Sequence, residues 1–213
     1  MTAAGHDRLD QWVDVVATIL LALATVATAW SGYQASRWNG EQATTAGKAN
    51  ATRVEAARAD GLANAQTEID VATFTQWVDA YARDETELAA FYRRRFRPEF
   101  APAVDAWVAT RPLRSADAPL TPFAMPQYRL AAREEAEALD AEAERLSAQV
   151  RVDVQRSTNY VLAVVLFAAT LFFAGMSAKL PVRRLRIALL AMGLVVFTIA
   201  LVWIATSPVS LSV

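Results

Sequence analysis

The chain has 213 residues, of which 54% are hydrophobic and 20% charged, with a formal net charge of -1, no cysteine and one histidine. A charge so close to zero, with no long basic tail, lacks the electrostatic term on which nucleic-acid binding relies, so no nucleic acid is expected among its partners. The missing cysteines exclude disulfides, thiolate metal ligands and cysteine nucleophiles together, and His6 lies in the N-terminal leader, where it offers a structured region neither a metal ligand nor a general base.

After a leader of residues 1–11, residues 12–33 form a nearly uncharged run long enough to cross a bilayer as a helix. Arg8 ahead of the run and Ala27-Thr28-Ala29 inside it have the outline of a secretory signal and its cleavage site. Asp7, Asp10 and Asp14 make the leader acidic, however, and apolar character continues to Tyr33, so the run reads as an uncleaved anchor. Along it Asp14, Thr18, Ala22, Thr25, Ala29 and Gly32 recur at helical spacing as a small, weakly polar face. Such a face lets helices approach closely in lipid and predicts helix packing. The functional alternative is a pore lining, with Asp14 forming a ring at the cytoplasmic mouth of an assembly. Trp30, Tyr33 and Trp38 fall where the chain leaves the bilayer, as in an interfacial aromatic belt.

Residues 34–157 form the extramembrane block. No proline occurs before Pro98 or between Gln127 and Leu180, while six of the eight prolines lie between Pro98 and Pro126. Because proline punctuates helices, the block reads as an outgoing helical arm (34–97), a proline-rich segment (98–126) and a return helix (127–157), each arm running directly into a span. In the outgoing arm Ala35, Ala49, Ala56 and Ala63 repeat by sevens, followed by a heavier stripe of Val71, Phe74, Val78, Tyr81, Leu88 and Tyr92. At about 1.5 Å per residue that arm would reach roughly 95 Å and the return helix only about 45 Å, so they cannot pair along their length. A bend near Gly61, making a bundle of three helical pieces, is the expected solution; projection of the outer half beyond the return helix is the other.

The segment 98–126 carries Phe100, Val104, Trp107, Leu113, Leu120, Phe123 and Met125, too apolar for a spacer, and predicts a short helix over Glu99–Thr110 with Pro98 at its first position. The return helix has a stripe of Tyr128, Ala132, Glu135, Leu139, Ala143, Leu146, Val150 and Val154, which predicts coiled-coil-like packing.

Two charge groups invite a functional reading. Arg93, Arg94, Arg95 and Arg97 could form a patch for an anion or an acidic partner, with Trp107 and Phe123 as neighbouring apolar contacts. The plainer reading is that these cations complement a helix C-terminus and face Asp84, Glu85 and Glu87. Glu134, Glu135, Glu137, Asp140, Glu142 and Glu144 could suggest acid/base or metal chemistry, but the Glu-x-x-His pairing of di-iron bundles is missing and the spacing suits solvated faces paired to Arg133 and Arg145. No nucleophile elbow, phosphate loop or nucleotide fingerprint is present, so catalytic, cofactor-binding and metal residues are all expected to be none.

Residues 158–178 and 186–206 are the second and third apolar runs, joined by a basic hairpin, 179–185. Lys179, Arg183, Arg184 and Arg186 carry no acid among them, whereas the tail 207–213 has no charged side chain. Short basic loops stay cytoplasmic, which puts the N-terminus inside and the large block outside. Arg37 and Lys48 after the first span argue more weakly for the reverse.

The run Ala29-Trp30-Ser31-Gly32-Tyr33-Gln34-Ala35-Ser36-Arg37-Trp38, together with Pro122-Phe123-Ala124-Met125-Pro126-Gln127-Tyr128, resembles a family of uncharacterised bacterial inner-membrane proteins with one N-terminal span, a helical extramembrane region and a C-terminal two-span hairpin. The resemblance implies a bacterial inner (plasma) membrane location and carries no activity with it.

The expectation is an all-α membrane protein with three transmembrane helices and a long helical, coiled-coil-like domain between the first and second. Its expected role is a non-enzymatic scaffold or adaptor in contact with the lipid bilayer, a homo-oligomer that engages an unidentified membrane or envelope protein. The alternatives are an oligomeric channel or transport accessory lined by the first span, and a sensor acting through a separate cytoplasmic partner.

Overall fold

A computed structural model describes the backbone of residues 3–210 and the side chains of residues 11–210; the side chains of His6, Asp7, Arg8 and Asp10 lie outside the described residues. The regular structure is all helical: α1 Ala3–Ala82, α2 Thr86–Arg93, α3 Ala101–Ala109, a 3-10 turn Pro122–Ala124, α4 Ala131–Ser177 and α5 Arg183–Ala205. Parts of α1, α4 and α5 are long and apolar enough to cross a membrane, which marks the chain as a multi-pass membrane protein.

Two departures from the sequence reading follow from helix physics. α1 continues through Gly61 without interruption, so the bend expected there does not form. A lone glycine lowers helix propensity by about 1 kcal/mol but leaves the backbone hydrogen bonds intact; only a proline would remove one. α3 starts two residues later than expected and holds Pro102, not Pro98, in its first turn. A proline there costs nothing, because that N–H has no partner within the helix.

The chain divides into two compact units, residues 1–47 with 146–213 and residues 48–145. In the first, the membrane unit, the apolar parts of three helices pack through small residues. Ala17 and Leu20 of α1 meet Ala174 of α4 and Leu190 of α5, and Ala163 and Phe167 of α4 meet Ala200 of α5. Gly193 sits at a close crossing: a Cβ there would lie 3.4 Å from Phe173 Cβ and 3.6 Å from both the Ala174 amide nitrogen and Leu20 Cδ2. Around the bundle Val15, Ile19, Leu23, Val26, Val165, Phe172, Leu194 and Val202 are exposed. In a bilayer such side chains face the acyl chains, where exposure carries no hydrophobic penalty.

The second unit, 48–145, is called the head here. α4 pairs with α1 up to Ala63, which is buried against Leu130 and Ala132; Arg133 bonds Asp60 and Asn64, and Arg53 meets Glu144 at 3.6 Å. Beyond Ala63 the partners of α1 come from the intervening segments. Phe74 and Trp77 are covered by Phe96, Phe100, Val104 and Trp107, with Phe123 and Tyr128 against the same cluster. The length mismatch is therefore met by the proline-rich segment folding over the outer part of α1. The rings pack mostly edge to face, as in Phe74 with Trp107 at 5.4 Å, with Phe100 stacked on Phe123 at 5.1 Å. Such pairs add about 1 kcal/mol each beyond area burial.

Candidate functional site

Burial along α1 follows the sevens of the alanine repeat and carries them two steps further: Ala49, Ala56, Ala63, Asp70 and Trp77 are all 5% exposed or less. Asp70 thus occupies a core position with a carboxylate. It lies where three segments of the head meet. Asp70 Oδ2 accepts from the Tyr128 hydroxyl at 3.2 Å and from Arg97 at 3.4 Å, and the same hydroxyl lies 3.3 Å from Thr67 Oγ1. Arg97 also pairs with Glu99, whose other oxygen accepts the backbone N–H of Ala131 at 3.2 Å and so caps α4 from a distance in sequence.

Burial raises the Asp70 carboxyl above the ordinary aspartate value, with Arg97 and the Tyr128 hydroxyl pulling the other way. Glu99 is held low, chiefly by the hydrogen bond from Arg97 and then by the Ala131 amide. Desolvation raises the Tyr128 phenol. Asp70 was not singled out from sequence, although it stands seven residues after Ala63; an acid at an apolar register position was the available signal.

The four arginines do not form one open patch. Arg93 pairs with Asp105, donates to the Ala101 carbonyl at 3.3 Å and stands over the Phe96 ring. Arg95 lies over Phe91, 3.4 Å from its ring centroid, and bonds that residue's carbonyl. Arg97 serves the Asp70 joint, and Arg94 is exposed with no side-chain partner among the described residues. Trp107 is buried, its indole N–H donating to the Pro119 carbonyl at 2.6 Å, and Phe123 is a half-buried core ring. These two are packing residues of the head.

A cleft of about 590 Å³ opens in the head where α1 and α3 end, lined among others by Tyr81, Asp84, Glu85, Val108, Arg111 and Arg114. Asp84 and Arg111 both hold left-handed backbone, φ 60° and 53°, at the positions following α1 and α3 where glycine is the usual residue.

In the membrane unit the motif that carries the resemblance has a definite task. Gln34, fully buried, clamps the C-terminal tail: its Nε2 donates to the Ser210 carbonyl at 3.3 Å and its Oε1 accepts the Ser210 N–H at 3.0 Å. Trp38 Nε1 and the Tyr160 hydroxyl both donate to the Pro208 carbonyl, at 3.2 and 3.1 Å. Arg156 lies over the Trp38 ring at 4.5 Å and pairs with Asp153 at 3.2 Å. Trp30 and Tyr33 are exposed beside one another.

The small face of the first span points away from its own bundle. Asp14, Thr18, Ala22, Thr25, Ala29 and Gly32 are all exposed, and the helix packs instead through Ala17, Leu20 and Ala24. Thr18 and Thr25 bond carbonyls one turn back in α1, at 2.8 Å each, which leaves the face without unmet donors. Asp14 pairs with Arg186, whose guanidinium also donates to the Ser177 carbonyl at 3.1 Å.

No known family model, curated protein or solved structure matches the chain. Among the described residues no group of three or more His, Cys, Asp or Glu side chains is placed to hold a metal ion.

Proposed function

We propose that the chain is a non-enzymatic, membrane-anchored helical scaffold or adaptor that self-associates through its first span and presents the head on the outer face of a bacterial inner membrane. The observation that carries this reading is the exposure of the whole small face, Thr18 to Gly32, on the outside of the protomer's own bundle. Close backbone approach is what such faces provide in lipid, and an intramolecular partner is not using this one. The consumption of Arg93, Arg95 and Arg97 in contacts within the head also favours a structural unit over an anion site.

Cross-linking in native membranes, with the mass of the particle in mild detergent, tests self-association. A dimer or higher species is expected, reduced by Ala22→Leu combined with Gly32→Leu. Monomer by both methods sinks the reading. The channel alternative needs the Asp14 charge free to form a ring, yet Asp14 is already paired with Arg186 within the protomer. Solute flux in reconstituted vesicles that changed with Asp14→Asn would restore it.

A further inference from the structure

The cleft of about 590 Å³ in the head is of a size that holds small molecules, roughly 300–1,000 Å³. Two chain segments wall it. Residues 80–89, from the end of α1 into α2, bring Asp84 and Glu85, and residues 108–114, from the end of α3 onward, bring Arg111 and Arg114. Two charges of each sign thus line one cleft, yet none of the four is engaged in the fold: their side chains are exposed and make no hydrogen bond or ion pair among the described residues. Glu85 stands at the N-cap of α2, where a side-chain oxygen commonly accepts a backbone N–H, and makes no such bond. The backbone N–H groups of Asp84, Glu85, Thr86, Arg111 and Arg114 all donate to carbonyls within their own segments, so recognition of a ligand falls to the side chains.

Backbone conformation singles out the same place. Asp84 and Arg111 are the two non-glycine residues with positive φ among the described residues; they come from different segments, carry opposite charges and both line this cleft. A left-handed residue after a helix is most easily a glycine, whereas aspartate tolerates the conformation moderately and arginine poorly. Glycine would serve both turns, but it would put neither a carboxylate nor a guanidinium on the cleft. Side chains held against the preference of their own backbone are a feature of binding sites.

The charges on the cleft cancel, two against two, and this sets the class of ligand. A net anion would meet the two carboxylates and a net cation the two guanidinium groups, so the lining selects a molecule that is itself dipolar. Guanidinium matches a planar carboxylate through paired N–H donors, and a carboxylate accepts from an ammonium group. The remaining lining residues are mostly apolar, Val108 and Leu113 among them, and Leu113 is 63% exposed, open to an apolar group of the ligand. We propose that the cleft binds a short apolar peptide with free termini, its ammonium end held by Asp84 and Glu85 and its carboxylate end by Arg111 and Arg114. The site belongs to the head alone, so its test is separate from that of self-association.

Isothermal titration of the full chain in non-ionic detergent micelles tests this with leucine, dileucine and trileucine, each also acetylated at its N-terminus or amidated at its C-terminus. At least one probe with both ends free should bind saturably, one per chain, below about 1 mM. Blocking either end should weaken it about tenfold or more, as the loss of a hydrogen bond to a charged group does. Asp84→Gly combined with Glu85→Gln should erase the effect of acetylation, and Arg111→Gly combined with Arg114→Gln that of amidation. Both variants should unfold in denaturant no more easily than the wild type, because no contact is lost and the left-handed positions are relieved. No saturable binding by any probe, or binding indifferent to either block, overturns the proposal. So does tighter binding of glycerophosphoethanolamine, which would assign the cleft to a dipolar lipid headgroup, or a loss of head stability in the variants, which would make the four side chains part of the fold.

Discussion

At the scale of single residues, several side chains do work that their chemical type alone does not announce. Gln34 supplies an amide that pairs with a backbone amide, and it satisfies an N–H and a C=O of the tail with one buried group. Gln34→Leu removes both of these hydrogen bonds, at a cost of up to about 3 kcal/mol, and should make the tail open to carboxypeptidase; a tail that stays protected would show that Trp38 and Tyr160 suffice. Asp84 and Arg111 sit in left-handed backbone, at a cost of about 1 kcal/mol relative to glycine, less for an aspartate. Asp84→Gly and Arg111→Gly should each raise head stability by up to about that amount in denaturant unfolding. A loss of stability instead would mean that their side chains, both on the 590 Å³ cleft, contribute more than the strain removes.

At the scale of elements, the alanine repeat in α1 was legible because identical small residues at intervals of seven mark one helix face, and that face is the buried one. The return helix was legible in kind and, through Ala132 and Ala143, largely in register, with two departures. Its predicted stripe passed through Glu135 and Val154, whereas the buried positions are Ala136 and Asp153. Hydrophobicity favoured Val154, yet Asp153 is the buried residue, and it is tolerated because Gln149 and Arg156, one turn away on the same helix, bond it. The small face of the first span shows the same limit. Two small faces exist on that helix, Ala17 to Ala24 and Thr18 to Gly32, and one sequence cannot say which of them the neighbouring spans take. The packing of the membrane unit is tight at one place, so Gly193→Ala, which meets ordinary contact distances of 3.4–3.6 Å, should fold with a little-changed melting temperature in detergent. Gly193→Leu should abolish the folded bundle, since atoms beyond the Cβ would press on Phe173, Ala174 and Leu20; wild-type melting for the leucine variant would refute the crossing described.

At the scale of the whole molecule, three helices are long and apolar enough to cross a membrane, and crossing by all three would put residues 34–157 and the basic hairpin on opposite sides. A topology reporter fused at Ala116, an exposed head position, should be active only on the outer side. Activity in the cytoplasm would reverse the orientation drawn from Lys179, Arg183, Arg184 and Arg186.

The sequence by itself determined the helical class, the three runs long and apolar enough to cross a membrane, and the division of the residues between the first two into an alanine-rich and an aromatic part. These depend on local quantities: hydropathy over about 20 residues, proline placement and helical periodicity. Tertiary structure alone decided which of the two small faces of the first span is buried, that the tail returns to Gln34, and that Asp70 lies at a joint of three segments. Those outcomes depend on contacts between residues 27 to 176 positions apart, and the energy of such a contact is set by the partner, which local composition does not name.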